Sequence, residues 1–426
     1  MSANLSTNIF KNSAFVKLWS AQVLAHPAGH ILTFILLIKV YNLSQSSFAV
    51  SLLLGLSVLP PILFSAIGGV MADSYSRKRL LIVTNILRGF LVLGFIWCSD
   101  SLVAIFLIIF LNTTITQFYL PAESAAIPKV VKRHQIFLAN SFFMFVLYVS
   151  FLIGYSLAGP ALHYLGETNT YILLIAMYWL ASLLDFFLPP LKAEKIKHQW
   201  TWQFKKSFRF IKDSLQESTR FIKGNKIIIF IGLQLLFVFA IQRSIVALLP
   251  QLAEKVLFFD VKQISYYLIM PIAAGALVGG VLSNKLKSVF SKRNLIIIGI
   301  LLDSIFLIFF PFTHFVRDGT VIDPILAQNL MISLIFFLVF ISGLANVLII
   351  ISAQTYIHEQ SEDVLRGRMF GNFYTLMNVL IFPTVILVGW SASNFSLDSV
   401  ILVMGLTTLL VAVSVWRIGR RYFDHI

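Results

Sequence analysis

Apolar residues fill this chain in blocks of about twenty, the length an α-helix needs to cross the roughly 30 Å hydrocarbon core of a bilayer. Short polar stretches separate the blocks. Together they predict twelve membrane helices, at 14–41, 47–72, 79–98, 101–122, 136–163, 169–189, 226–250, 264–284, 294–313, 325–352, 369–391 and 396–417. The connections alternate in charge. One set holds Arg77, Lys78 and Arg79; Lys129, Lys132 and Arg133; Lys285, Lys287, Lys292 and Arg293; Arg366 and Arg368; and Arg417, Arg420 and Arg421. The other set, "YNLSQSSF", "CSDSL", "HYLGETNT" and "SASNFSLDS", has no Lys or Arg. Basic loops stay on the cytoplasmic side, so both termini are expected there.

The longest polar stretch, 191–225, is strongly basic. Phe204, Phe208, Ile211, Leu215 and Ile222 recur at helical spacing with Lys205, Lys206, Arg209 and Lys212 among them. That pattern predicts an amphipathic cytoplasmic linker lying on the membrane surface. It separates a six-helix bundle at 1–190 from a second at 226–426.

Composition agrees with this reading. The chain has 426 residues, 58% of them hydrophobic and 12% charged, where a soluble domain carries about a quarter charged residues. The net charge of +15 sits in the loops, where membrane orientation explains it, and no basic soluble module for nucleic acid is present. A single cysteine, Cys98, excludes an intramolecular disulfide and a cysteine metal cluster. The N-terminal "MSANLSTNIFKNSAF" lacks the apolar core of a cleaved signal, so the first helix is expected to act as an uncleaved one. No G-x-x-x-x-G-K-[ST] loop occurs, which disfavours an ATP-driven pump. A polytopic membrane enzyme would gather acids, histidines or a metal set at one interface, and the sequence scatters them instead.

A repeat ties the two bundles together. "GGVMADSYSRKRLLIV" (68–83) and "GGVLSNKLKSVFSKRNLIII" (279–298) share a glycine pair, a polar turn, a serine followed by basic residues, and an aliphatic run. Asp73 corresponds to Asn284, and Gly68 and Gly69 to Gly279 and Gly280. "AESAAIP" (122–128) resembles "AQTYIHE" (353–359), with Asn140 and Asn372 at offsets that differ by one residue. Two six-helix halves with one pattern are the parallel repeat of major facilitator transporters.

On these residues the chain resembles the major facilitator superfamily over nearly its full length, "GGVMADSYSRKR" matching the superfamily's loop between helices two and three. "LPPILFSAIGGVMAD", "YLPAESAAIPKVVKRHQIFLANS", "LLPQLAEKVLFFDVKQISYYLIMPIAAGALVGG" and "LRGRMFGNF" resemble its macrolide-efflux and siderophore-exporter branch of drug:proton antiporters. The resemblance implies an all-α membrane protein of twelve helices in two pseudo-symmetric bundles, in a bacterial-type inner membrane. It implies a monomer without cofactor that works by alternating access and exports a small amphipathic compound in exchange for protons. The loop "ADSYSRKRLL" also resembles that of lysophospholipid transporters, the alternative within transport.

The resemblance makes Asp73 a conformational latch, with Gly68 and Gly69 allowing close helix approach and Arg77, Lys78 and Arg79 serving latch and topology. His26 and His30 lie one helical turn apart in "LAHPAGHILTF", around Pro27, and are candidates for proton or substrate coupling. Two histidines without nearby acids are weak grounds for a metal site, and none is expected. The resemblance places helix seven, which carries Arg243 beside Gln242, along the central cavity, and makes Arg243 a candidate for coupling or for a structural ion pair. Arg88 and Asp303 occupy equivalent positions in helices three and nine, where structural pairing is expected. Gly154, Gly159 and Pro160 partly match the superfamily's antiporter motif. Helix four lacks the superfamily's intramembrane arginine; Asn112 and Gln117 are its polar groups, candidates to face the cavity and take part in proton or substrate coupling, and the role of Glu123 is open.

Overall fold

In the computed structural model, residues 9–98, 100–191, 226–257, 260–314, 324–359 and 366–423 are described. The stretch 192–225, which holds nearly all of the predicted linker, lies outside them. The described residues are helical throughout. The helices are α1 (Ser13–Ser44), α2 (Ser47–Ser74), α3 (Arg77–Phe95), α4 (Leu102–Val130), a long run Ile136–Phe186, α7 (Lys226–Gln251), α8 (Met270–Leu286), α9 (Lys292–Phe309), α10 (Pro324–Glu359), α11 (Arg366–Asn394) and α12 (Leu397–Phe423). The long run is two helices, α5 (136–165) and α6 (167–186), because Gly166 breaks it at φ 76, ψ 173, a conformation suited to glycine. Thr170 Oγ1 bonds the Ala161 carbonyl at 3.0 Å and the Gly166 carbonyl at 2.6 Å, stitching the break. The predicted polar loop "HYLGETNT" therefore shrinks to a one-residue corner.

Ten helical stretches among the described residues are long and apolar enough to cross a membrane, the Ile136–Phe186 run counting as one of them. α3 falls outside that set because Arg77, Lys78, Arg79 and Arg88 interrupt its apolar surface. Bulky side chains such as Phe137, Leu107 and Leu410 point outward, as lipid contact requires. Interior prolines occur in six helices: Pro27, Pro60 and Pro61, Pro121 and Pro128, Pro160, Pro250 and Pro383. Each removes a backbone donor, which membrane helices tolerate when neighbours satisfy the freed carbonyl. Two π-helical turns, Leu252–Val256 and Ser265–Ile269, lie between α7 and α8.

The chain packs as two units, Met1–Leu43 with Leu56–Asp213, and Ser44–Gly55 with Ser214–Ile426. The first turns of α2 thus belong to the second unit: Ser47 Oγ donates to Gln251 Oε1, Gln251 Nε2 donates to the Ala392 carbonyl at 3.2 Å, and Phe48 N donates to Ser393 Oγ at 3.1 Å. In the first unit α3 packs against α4 and α6. In the second, α9 packs against α10 and α12.

Candidate functional site

The inner face of α4 carries Asn112, Thr116, Tyr119 and Glu123, at spacings of four, three and four, so all four share one stripe. Glu123 is 3% exposed, and its Oε2 lies 3.1 Å from Nε2 of His26 on α1, a carboxylate–imidazole contact. The His26 ring stands edge-on to Tyr119 at 5.8 Å between centroids. From α3, Arg88 donates Nη2 to Thr116 Oγ1 at 2.9 Å. Its guanidinium lies 4.7 Å over the Tyr119 ring and 5.7 Å over the Tyr178 ring of α6. Cation–π contact stabilises a desolvated guanidinium by about 2 kcal/mol, which offsets part of its burial. Lower on the same faces, Asn85 Nδ2 donates to Asp185 Oδ2 at 3.0 Å, and Asp185 is fully buried. Glu123 Oε1, Asp185 Oδ1, Asn85 Oδ1, Asn112 Oδ1, Arg88 Nε and the hydroxyls of Tyr119 and Tyr178 are buried without a hydrogen-bond partner among the described residues.

The expected coupling residues divide differently from the sequence reading. His26 and His30 are one turn apart but meet different helices: His30 turns to α5, with Phe151 and Tyr155 at 5.6 and 6.2 Å. A Cβ on Gly154 would stand 2.5 Å from the His30 Cβ, so this glycine lets α5 lie against α1. Pro160 lies six residues further along α5, and Gly159 is buried. Asn112 and Gln117, expected to face a cavity, are both buried, and Gln117 Nε2 bonds the Thr113 carbonyl of its own helix at 3.1 Å. Arg243 is exposed on α7.

The second unit has its own buried polar group. Asp303 on α9 accepts from Ser342 Oγ at 2.7 Å and from Asn346 Nδ2 at 3.2 Å, both on α10. Gln242 on α7 donates to Asn346 Oδ1. The hydrogen-bond partners of Arg88 and of Asp303 each lie within the same unit as the charge.

The signature loop also resolves into separate tasks. Asp73 and Arg79 are exposed, and Asp73 makes no ion pair among the described residues. Lys78 Nζ donates to the Leu188 carbonyl at 2.6 Å and lies 5.4 Å over the Phe186 ring, while Ser76 Oγ and Arg77 N reach the Leu191 carbonyl. Lys17 Nζ donates to the Phe187 carbonyl at 3.3 Å. These groups cap the C-terminal end of α6, where cations meet the helix dipole favourably. In the second unit Arg293 Nη2 bonds the Trp416 carbonyl of α12 at 2.8 Å. The glycine pairs split as well. A Cβ on Gly68 would fall 1.8 Å from the Gln117 carbonyl oxygen, and one on Gly279 2.9 Å from that of Leu344. Gly69 and Gly280 face open space, so only the first glycine of each pair serves helix approach. The side chain of Asn284 lies outside the described residues.

Asp185, Tyr119 and Tyr178 were not singled out from the sequence. The signal was the polar spacing of α4, which marks a stripe once Thr116 and Tyr119 are counted with Asn112 and Glu123.

Buried charges inside apolar helices, with a twofold-repeated plan, define a polytopic membrane transporter rather than an enzyme. The model of the Major Facilitator Superfamily matches residues 18–327, and the chain belongs to that superfamily. Among curated proteins, it is 23% identical over 160 residues to the MFS-type transporter YfiS of Bacillus subtilis (strain 168), a match spanning 38% of each chain. It is 24% identical over 297 residues to the MFS-type transporter YkuC of the same organism, covering 66% of this chain and 68% of YkuC. Among solved structures, the nucleoside transporter NupG aligns over 95% of this chain and 98% of its own, with a TM-score of 0.70 at 14% identity. A POT family transporter in complex with a thioalcohol-conjugated peptide aligns over 96% of both chains, with a TM-score of 0.71 at 11% identity. These structural likenesses establish the fold.

Proposed function

We propose that the protein exports a small amphipathic compound in exchange for protons, by alternating access, from a bacterial-type inner membrane with both termini in the cytoplasm. The observation that carries this reading is the His26–Glu123 pair, a titratable couple 3.1 Å apart and buried between two apolar helices. Ionisable groups at membrane depth are costly and mark ion or substrate pathways. A carboxylate 3.1 Å from an imidazole can pass a proton across that contact. The exposed Arg243, and His30 at the α1–α5 contact, belong to the substrate side of the same proposal. Asp73 belongs to it as the latch, consistent with its exposed position at the end of α2. The protein acts as a monomer.

The test is proton movement in inverted membrane vesicles containing the protein. A pre-formed proton gradient is challenged with macrolides, lipophilic cations, siderophores and lysolipids. Collapse by one class, only when the protein is present, supports exchange and names the substrate class. Transport of a labelled compound with no proton movement rules coupling out. Movement of lysolipid alone, without protons, makes lipid transport the better reading.

A further inference from the structure

In the first unit Lys39 pairs with Asp100 and Glu167, and a second group of charges gathers around the His26–Glu123 contact, more than that contact accounts for. The titratable and charged groups facing this interior are His26 from α1, Arg88 from α3, Tyr119 and Glu123 from α4, and Tyr178 and Asp185 from α6. His30 turns away to α5, and Arg77 and Lys78 stand at the far end of α3, at the α6 terminus. Arg88 forms no ion pair with either carboxylate; its partners are a hydroxyl and two rings. Asp185 meets the neutral Asn85 amide. Yet Tyr119 joins them: Arg88 lies over its ring, the His26 ring that meets Glu123 stands edge-on to it, and Asn85, three residues before Arg88 on α3, holds Asp185.

A low-dielectric interior disfavours net charge. The guanidinium is permanently positive, each ionised carboxylate is negative, and the imidazole is neutral or positive. One cation and two acids balance only when one of the three titratable groups holds an extra proton. The geometry points to a single-proton binding site shared by His26, Glu123 and Asp185, with Arg88 as its fixed counter-charge. The orphan atoms Glu123 Oε1, Asp185 Oδ1 and the two tyrosine hydroxyls are the partners that buried water would join. Such water links the carboxylates: an O–H bond forms on one acid as a hydronium gives up its proton, and the reverse step releases it from the other. Nothing is oxidised or reduced. This site deepens the proton-exchange reading and rests on it for its purpose.

The test counts protons on the full-length protein in lipid nanodiscs. An Asp303→Asn parent removes the buried acid of the second unit. Uptake is read with an indicator dye from alkaline pH down to about pH 5.5, above the range where surface carboxylates titrate. Glu123→Gln and Asp185→Asn should each take up one proton per chain fewer than the parent. Arg88→Gln with Asp185→Asn should return to the parent count, because removing one cation and one acid restores the balance. A purely structural role for Asp185 gives no such rescue. Should Asp185→Asn not fold, Arg88→Gln alone reads the same balance, by taking up one proton more. An Asp185→Asn count equal to the parent, or a folded double variant that stays one proton short, overturns the site. The outcomes separate from those of the vesicle assay. Variant-sensitive counts without proton movement in vesicles keep the site and remove coupling. Proton exchange with insensitive counts does the reverse.

Discussion

α3 and α9 are the same helix built twice with opposite charge. Ten residues separate Lys78 from Arg88, and ten separate Arg293 from Asp303. At the start of each helix the basic residue bonds a carbonyl of its unit's last membrane segment, Leu188 just past the end of α6 and Trp416 about two turns inside α12. Ten residues on, the charged residue bonds a hydroxyl of the neighbouring fourth helix, Thr116 or Ser342. What differs is the surroundings. Arg88 lies against two aromatic rings, one of them edge-on to His26, whereas Asp303 receives only neutral donors. The repeat has kept the position and the hydrogen-bonding plan while letting the charge diverge. One half holds a fixed cation among titratable acids. The other holds a lone acid.

The largest effect should come from neutralising the two charges. Arg88→Met removes a hydrogen bond from a charged group to Thr116, which contributes about 1.5–3 kcal/mol, and ring contacts that contribute about 2 kcal/mol. Asp303→Asn keeps the shape and one acceptor oxygen, and it removes a buried charge with no cation among its partners. Its stability should match or exceed that of the natural protein. Thermal unfolding in nanodiscs near neutral pH checks the pair. Equal losses for both would show that the halves are not electrostatically distinct.

Next come the glycines, where the halves should differ in degree. Gly68→Ala puts a methyl 1.8 Å from a backbone oxygen, so α2 must move off α4, and overpacking of this kind costs about 1–3 kcal/mol. Gly279→Ala meets its neighbour at 2.9 Å and should cost less. Gly69→Ala and Gly280→Ala face open space and should gain up to about 1 kcal/mol from helix propensity. Unfolding midpoints in that order support the packing described; a harmful Gly69→Ala contradicts it.

This split shows where sequence reading stops. The spans of all twelve helices follow from block length, and the repeat from matched loops, because both are local patterns. Which glycine of a pair touches a neighbour depends on helix rotation, which the motif leaves open. His26 and Glu123 are 97 positions apart, and Asn85 and Asp185 100, so no spacing rule joins them. Asp185, one residue from the end of α6, reads as an interfacial acid until the fold buries it against α3. Gln117 looked free for a cavity because a polar residue in an apolar run has no visible partner. Its partner is a carbonyl of its own helix, one turn back.

The two hydroxyls offer a finer comparison. Ser342→Ala removes one of two side-chain donors to Asp303, and Thr116→Val removes the one acceptor bonded to Arg88. Hydrogen bonds to charged groups contribute about 1.5–3 kcal/mol. Thr116→Val should be the smaller loss, since both rings still hold the guanidinium. In the Asp303→Asn background Ser342→Ala should lose much of its effect, and a double-mutant cycle measures the coupling. Full additivity would mean that the serine does not act through Asp303.

The smallest expected effect tests whether the start of α3 and that of α9 share a task. Lys78→Met removes a cation from the end of α6, whereas Arg293→Met removes a donor to the Trp416 carbonyl, about two turns inside α12. A cation at a helix C-terminus contributes about 0.3–1 kcal/mol and the effect fades beyond the last turn, so Lys78→Met should lose about that much and Arg293→Met should lose nothing through the dipole. Arg79→Met, one position from Lys78 but exposed, should leave the unfolding midpoint unchanged. The distinction matters for the loop as a whole. If Lys78 acts as a cap, its loss lowers stability and leaves the rate of vesicle proton exchange per folded protein intact. If it acts with Asp73 in a latch, the rate falls while the midpoint holds. A basic triplet that looks uniform in the sequence would then divide by burial, with Arg77 and Lys78 holding a helix end and Arg79 left for the membrane surface.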